Sequence, residues 1–148
     1  MGVICPCGVR VNAESDNNNV KFENQRGTVR GDLIYLADVC VTTLSSSTLS
    51  LQFIDTETPG VNNFTFTANA ITNVECKEEG QNCVVTVTGT GTINCGTEVF
   101  NFKAVFRDQV ASAANDIVQS FVITCFFNQN GAAPVPQGSI IALGCQEL

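Results

Sequence analysis

The chain has no histidine and no tryptophan, and only one tyrosine, Tyr35. Without an imidazole, neither a Ser-His-Asp nor a Cys-His nucleophilic pair can be built, and histidine-ligated zinc goes with them. Without tryptophan, the aromatic platform on which sugars stack is largely missing. Cations are also scarce: seven Lys and Arg stand against fourteen Asp and Glu, for a net charge of −7. Those seven (Arg10, Lys21, Arg26, Arg30, Lys77, Lys103 and Arg107) are scattered along the chain. A polyphosphate needs clustered cations to displace its counterions, so no nucleic-acid partner is expected. Anionic membrane surfaces are disfavoured for the same reason. No apolar run approaches the roughly 20 residues that cross a bilayer, so no membrane insertion is expected.

What is present is enough apolar material for one domain: 148 residues, 44% of them hydrophobic, with ten phenylalanines. Only 14% are charged, about half the usual share. Thr and Asn take the polar role, and such a surface resists packing against a neighbour less than a charged one does.

Eight cysteines are present: Cys5, Cys7, Cys40, Cys76, Cys83, Cys95, Cys125 and Cys145. An even number at this density points to disulfides and an oxidising location. Met1-Gly2-Val3-Ile4-Cys5-Pro6 lacks the basic start and apolar core of a signal peptide. The expectation is therefore processing before this point, an unusual export route, or release when the producing cell lyses, set against the plainer alternative of a cytosolic protein with reduced thiols. Cys5 and Cys7 flank Pro6 and cannot easily bond each other, because so small a ring strains the disulfide. Proline keeps the segment extended, so the two thiols point apart. Two outcomes stay open: an intermolecular staple, or bridges back to the same domain. A zinc reading of Cys5-Pro6-Cys7 is weaker, since metal-binding pairs prefer longer spacings.

Residues 1–19 read as an arm, with Ser15-Asp16-Asn17-Asn18-Asn19 as a polar joint. Residues 20–148 read as a single β-domain. Residues 27–31 suggest a short strand, and 32–41 a strand buried on both faces. Leu49, Leu51 and Phe53 alternate with polar residues, as do Phe64, Phe66 and Ala68. The turn at 77–82 lies between Cys76 and Cys83, which could bridge across it. The cleanest period-two pattern puts Cys83, Val85, Val87, Gly89, Gly91, Ile93 and Cys95 on one face and four threonines on the other. Its glycines suggest a bulge or the close approach of another backbone. Phe100, Phe102, Ala104 and Phe106 mark a further strand. Phe121, Ile123, Cys125 and Phe127 share a face of the next, and residues 139–145 form the last. Residues 111–115 fit a helical turn or a loop. The sum is an all-β fold, a jelly-roll-like β-sandwich of about eight strands with an extended N-terminal arm.

Smaller motifs carry little. Arg30-Gly31-Asp32 is an adhesion-type tripeptide that runs straight into a strand. Asn63-Phe64-Thr65 is a glycosylation sequon. The carboxylate pairs Glu14/Asp16, Asp55/Glu57 and Glu78/Glu79 lack a platform for glycosidase work. Asp16-Asn17-Asn18-Asn19 offers hard oxygen ligands without EF-hand spacing. A thiol nucleophile needs a cation beside it, and Arg10 near Cys7 is the nearest in sequence. No enzyme activity, cofactor or metal is expected.

The front-end cysteines, the Thr- and Val-rich β-domain and the missing signal resemble the subunits of bacterial endospore appendages. That resemblance implies a jelly-roll subunit whose arm reaches into neighbouring copies and is locked there by disulfides. It also implies synthesis inside the mother cell and oxidation on lysis. Carried over, it makes Cys5 and Cys7 the arm thiols, with Cys40, Cys125 and Cys145 as candidate partners in other copies. Cys76, Cys83 and Cys95 are then the intrachain candidates. The expected function is a self-assembling, disulfide-cross-linked fibre or surface layer, outside the cell or on the spore surface, partnered by other copies of itself. The alternative is a secreted, disulfide-stapled binding module or adhesin.

Overall fold

In the computed structural model of the chain, described over residues 5–109 and 115–144, the alternating segments become ten antiparallel strands. In order these are β1 (Gly8–Phe22), β2 (Val29–Cys40), β3 (Thr48–Asp55), β4 (Phe64–Glu79), β5 (Asn82–Ile93), β6 (Phe100–Asp108), β7 (Asp116–Ile123), β8 (Phe127–Asn128), β9 (Ala133–Val135) and β10 (Ile140–Leu143). Residues 110–114, which cover all but Asn115 of the expected helical turn or loop, lie outside the described residues.

Strands β1 to β8 pair in sequence order, and β8 returns to β1 through Lys21 opposite Asn128 and Phe22 opposite Phe127. The sheet closes on itself, with β10 added beside the start of β1 and β9 beside the start of β7. The all-β expectation holds. The jelly-roll sandwich does not describe this topology: consecutive strands are hydrogen-bonded neighbours in a meander. Alternation along a strand says which face is buried but not which strand lies alongside, so the two topologies look alike in sequence.

The interior is filled by the inward-facing residues, among them Tyr35, Leu33, Leu51, Phe53, Phe66, Phe106, Phe121 and Ile123, all nearly inaccessible. Each such side chain contributes about 1.5–3 kcal/mol by leaving water. The Tyr35 hydroxyl donates to Gln129 Oε1 at 2.5 Å, and burial pushes its pKa upward. Strand β2 is buried on one face only, since Leu36 is exposed on the other.

The expected arm is part of the barrel. From Gly8 onward the chain is β1, paired with β2 along its length. The asparagine cluster read as a joint is a β-bulge between Ser15 and Asn18, with Asn17 in the left-handed region at φ 58°. One extra residue shifts the parity. Val9, Val11 and Ala13 face inward before the bulge, and Val20 and Phe22 after it.

Strand β5 matches its expected parity. A Cβ at Gly91 would strike the Phe66 ring, and one at Gly89 would strike the Ala70 carbonyl. Both glycines lie opposite the bulges of β4, where the partner backbone comes close.

Up-and-down connectivity sorts the connections into two poles. The chain start and the β2–β3 and β4–β5 connections lie at one pole. The β1–β2, β3–β4, β5–β6 and β7–β8 connections lie at the other.

Candidate functional site

The first pole is stapled. Cys5 bonds Cys40 at the end of β2, and Cys7 bonds Cys76 near the end of β4, each pair with Cα atoms 5.8 Å apart. Pro6 does what its chemistry suggests, sending neighbouring sulfurs to different strands. Gly8 makes room for this, because a Cβ there would meet the Val39 carbonyl and the Cys5 sulfur. Cys83 is also disulfide-bonded, and Cys145 lies outside the described residues.

Several expectations are corrected here. Cys5, Cys7 and Cys40 are bridged within the chain, not offered to other copies. Cys76 and Cys83 do not bridge each other, because register sets Cys76 opposite Val85 and Cys83 opposite Glu78. That leaves the two cysteines on a diagonal about 7–8 Å apart, longer than a disulfide spans. Cys7 carries no thiol, and Arg10 instead faces Asp38 on the exposed side of β1.

Two carboxylates complete this pole. Asp116 is fully buried and accepts from the backbone N–H groups of Gln109 (2.9 Å), Gly138 (2.8 Å) and Ile140 (3.0 Å). Asp108 accepts from Ala142 N–H at 2.9 Å. Together they satisfy donors on the outer edge of β10, which would otherwise be an open strand edge. Desolvation raises the Asp108 pKa; the Ala142 bond opposes this and the nearby Asp116 charge adds to it.

The second pole carries no bridge among its described residues. Cys95, between β5 and β6, and Cys125, between β7 and β8, are exposed free thiols. Both sit in left-handed turns, at φ 59° and φ 67°. Cys125 was expected to share a face with Phe121, Ile123 and Phe127 in a continuous strand, but the chain turns at residues 124–126, closed by Phe126 N–H donating to Ile123 O at 3.0 Å. Cys95, expected in an intrachain bridge, follows Asn94, whose Oδ1 accepts from Thr65 N–H at 2.9 Å and whose own N–H donates to Thr65 O at 2.8 Å.

This pole is fixed by aromatics and one carboxylate instead. Phe126 packs on Phe64 (centroids 4.9 Å apart), Phe22 (5.6 Å) and Phe100 (5.9 Å). Asp55, at the end of β3, accepts from the N–H groups of Glu57 (2.9 Å) and Thr58 (2.8 Å) and from the Asn62 amide (2.8 Å). Desolvation pushes its pKa upward, but these donors outweigh it and the net shift is downward.

The remaining motifs are absorbed by the fold. Arg30-Gly31-Asp32 lies in β2, with Gly31 against the Phe53 ring. Asn63 of the sequon accepts from Asp55 N–H at 2.7 Å. Glu78 and Glu79 end β4, and Arg107 holds Glu79 at 2.6 Å and below the usual carboxylate range. The bulge brings Glu14, Asp16 and Asp32 together with ligand atoms within 4.8 Å of one another, and a hydrogen bond to Asp16 raises the Glu14 pKa. Asn17 N–H donates to Asp32 at 3.0 Å and Asn18 to Ser15, so this cluster also shapes the bulge.

The sulfur polarity of the barrel was missed in the sequence. The signal for it is connection parity: in a meander, Cys95 and Cys125 fall in connections of the same parity, and Cys40 ends a strand that leads into one of the other. Compared with known proteins, the chain matches no family model, no curated protein and no solved structure.

Proposed function

We propose that this chain is a structural protein whose copies associate into a disulfide-cross-linked fibre or surface layer outside the reducing cytosol, with no catalytic role. The observation that carries this reading is the coexistence of internal bridges with two exposed thiols at one pole. Bridges that close within the chain stabilise one copy. Exposed thiols under the same oxidising conditions are available to another copy. The low charge of the surface favours close approach between copies. The resemblance to endospore-appendage subunits adds a spore-surface setting to this reading. The fastener differs from the one that resemblance implied, because the leading cysteines are used internally and, among the described cysteines, cross-linking falls to Cys95 and Cys125.

The test is sedimentation and negative-stain electron microscopy of the protein held under oxidising conditions. High-mass assemblies are the expected result, and a persistent monomer contradicts the reading. A second reading, a monomeric stapled binding module, draws on the internal bridging of Cys5 and Cys7. A monomer that captures a protein or glycan ligand would favour it.

A further inference from the structure

We infer that two copies join through the thiol pole, Cys95 of each bonding Cys125 of the other, so that the covalent unit is a closed dimer with its stapled poles facing outward. This rests on the assembly reading above and names its fastener.

Availability comes first. Among the described cysteines, Cys5, Cys7, Cys40, Cys76 and Cys83 are bridged, while Cys95 and Cys125 carry free, exposed thiols. The two share one pole, and their next neighbours, Gly96 and Phe126, line the same cleft. Neither turn calls for cysteine. A left-handed backbone suits Gly or Asn, and any other side chain there is strained. The thiols therefore sit in unfavourable backbone positions and make no bond within the chain in return.

The surface around them suits a second copy. Val61 is 68% exposed and Val99 54% exposed, both in connections at this pole. The charged side chains in these connections are Glu23, Arg26, Glu57 and Glu98, so like-charge repulsion between two such poles is modest and screened by salt.

Two-fold symmetry accommodates this pairing. A two-fold contact is self-complementary: if residue i meets j, then j meets i. A cysteine pairs with its own copy only on the two-fold axis, whereas two different cysteines placed on either side of it bridge reciprocally. Such a contact closes at two copies, so the disulfide-linked unit of the fibre or layer is the dimer, and dimers are held to one another by non-covalent contacts elsewhere on the barrel.

Each bridge removes two protons and two electrons from two thiols. A small disulfide such as oxidised glutathione accepts them. One cysteine thiolate attacks it, releasing one glutathione thiolate and leaving a mixed disulfide. The partner copy's thiolate then displaces the second glutathione. One glutathione disulfide is thereby reduced to two thiols for each bridge formed.

The test is oxidation of the purified chain with glutathione disulfide, followed by non-reducing denaturing electrophoresis. The wild type should yield a band at dimer mass that reductant returns to monomer. Cys95→Ser and Cys125→Ser should each stay monomeric, and an equimolar mixture of the two should regain a dimer through one bridge. If a serine variant fails to fold by circular dichroism, the glycine variant, suited to the same turn, replaces it. Full dimer yield from either variant alone, or no rescue on mixing, overturns the reciprocal pairing. Covalent species that persist in Cys95→Ser/Cys125→Ser overturn the inference but leave the assembly reading standing. No covalent or high-mass species from the wild type removes both.

Discussion

The two poles of the barrel solve the same problem in different ways. Each must hold the ends of several strands against fraying. The stapled pole uses disulfides together with Asp116 and Asp108. The thiol pole stacks Phe22, Phe53, Phe64, Phe126 and Phe127 and ties one connection to Asp55. Where aromatic packing already fixes the loops, cysteines are not needed for stability. The difference teaches that sulfur has a structural task at one end and is free for another task at the other.

The largest effect expected from breaking this contrast is at the stapled pole. The Cys7–Cys76 bridge has a sequence separation of 69. Closing a loop of that length is worth on the order of 4 kcal/mol in the chain-entropy model. Cys7→Ser/Cys76→Ser should lose about that much in urea unfolding, whereas Cys95→Ser/Cys125→Ser should stay close to wild type. Next comes Asp116→Ala, which strands the buried N–H of Ile140 and the part-buried N–H groups of Gln109 and Gly138 and should cost about 3 kcal/mol. It should also raise amide exchange at Ile140 and Ala142 well before exchange rises at the thiol pole.

The poles should also respond to acid with opposite signs. The Asp55 pKa is lowered, so its contribution is fully present above the ordinary aspartate range and is lost as pH falls through its folded value. The Asp108 pKa is raised, so its contribution is present at low pH and is lost as pH rises through its folded value. Stability measured against pH for Asp55→Asn and Asp108→Asn should diverge from wild type in these opposite directions. The smallest effect is a gain. Cys125→Gly relieves a left-handed backbone and should stabilise the monomer by up to about 1 kcal/mol in the same unfolding assay.

Much of this was legible from residue pattern. The parity of β5, the core phenylalanines and the inability of Cys5 and Cys7 to bond each other follow from spacing alone. The arm was misread because asparagine clusters signal turns, and a bulge uses the same left-handed chemistry without breaking the strand. Cys125 was misplaced because Phe121 to Phe127 keeps one parity across a turn that reverses the chain. Closure of the sheet was hidden because pairing order depends on contacts far apart in sequence. Choosing partners for the cysteines required that order, so the division of sulfur between the poles became visible only with the strands in place.

The most direct measurement is alkylation of freshly purified monomer without reductant, followed by proteolysis and mass spectrometry. Label is expected on Cys95 and Cys125, with Cys5 recovered linked to Cys40 and Cys7 linked to Cys76. Label on Cys5 or Cys7, or either of them bonded to a second copy, would contradict it.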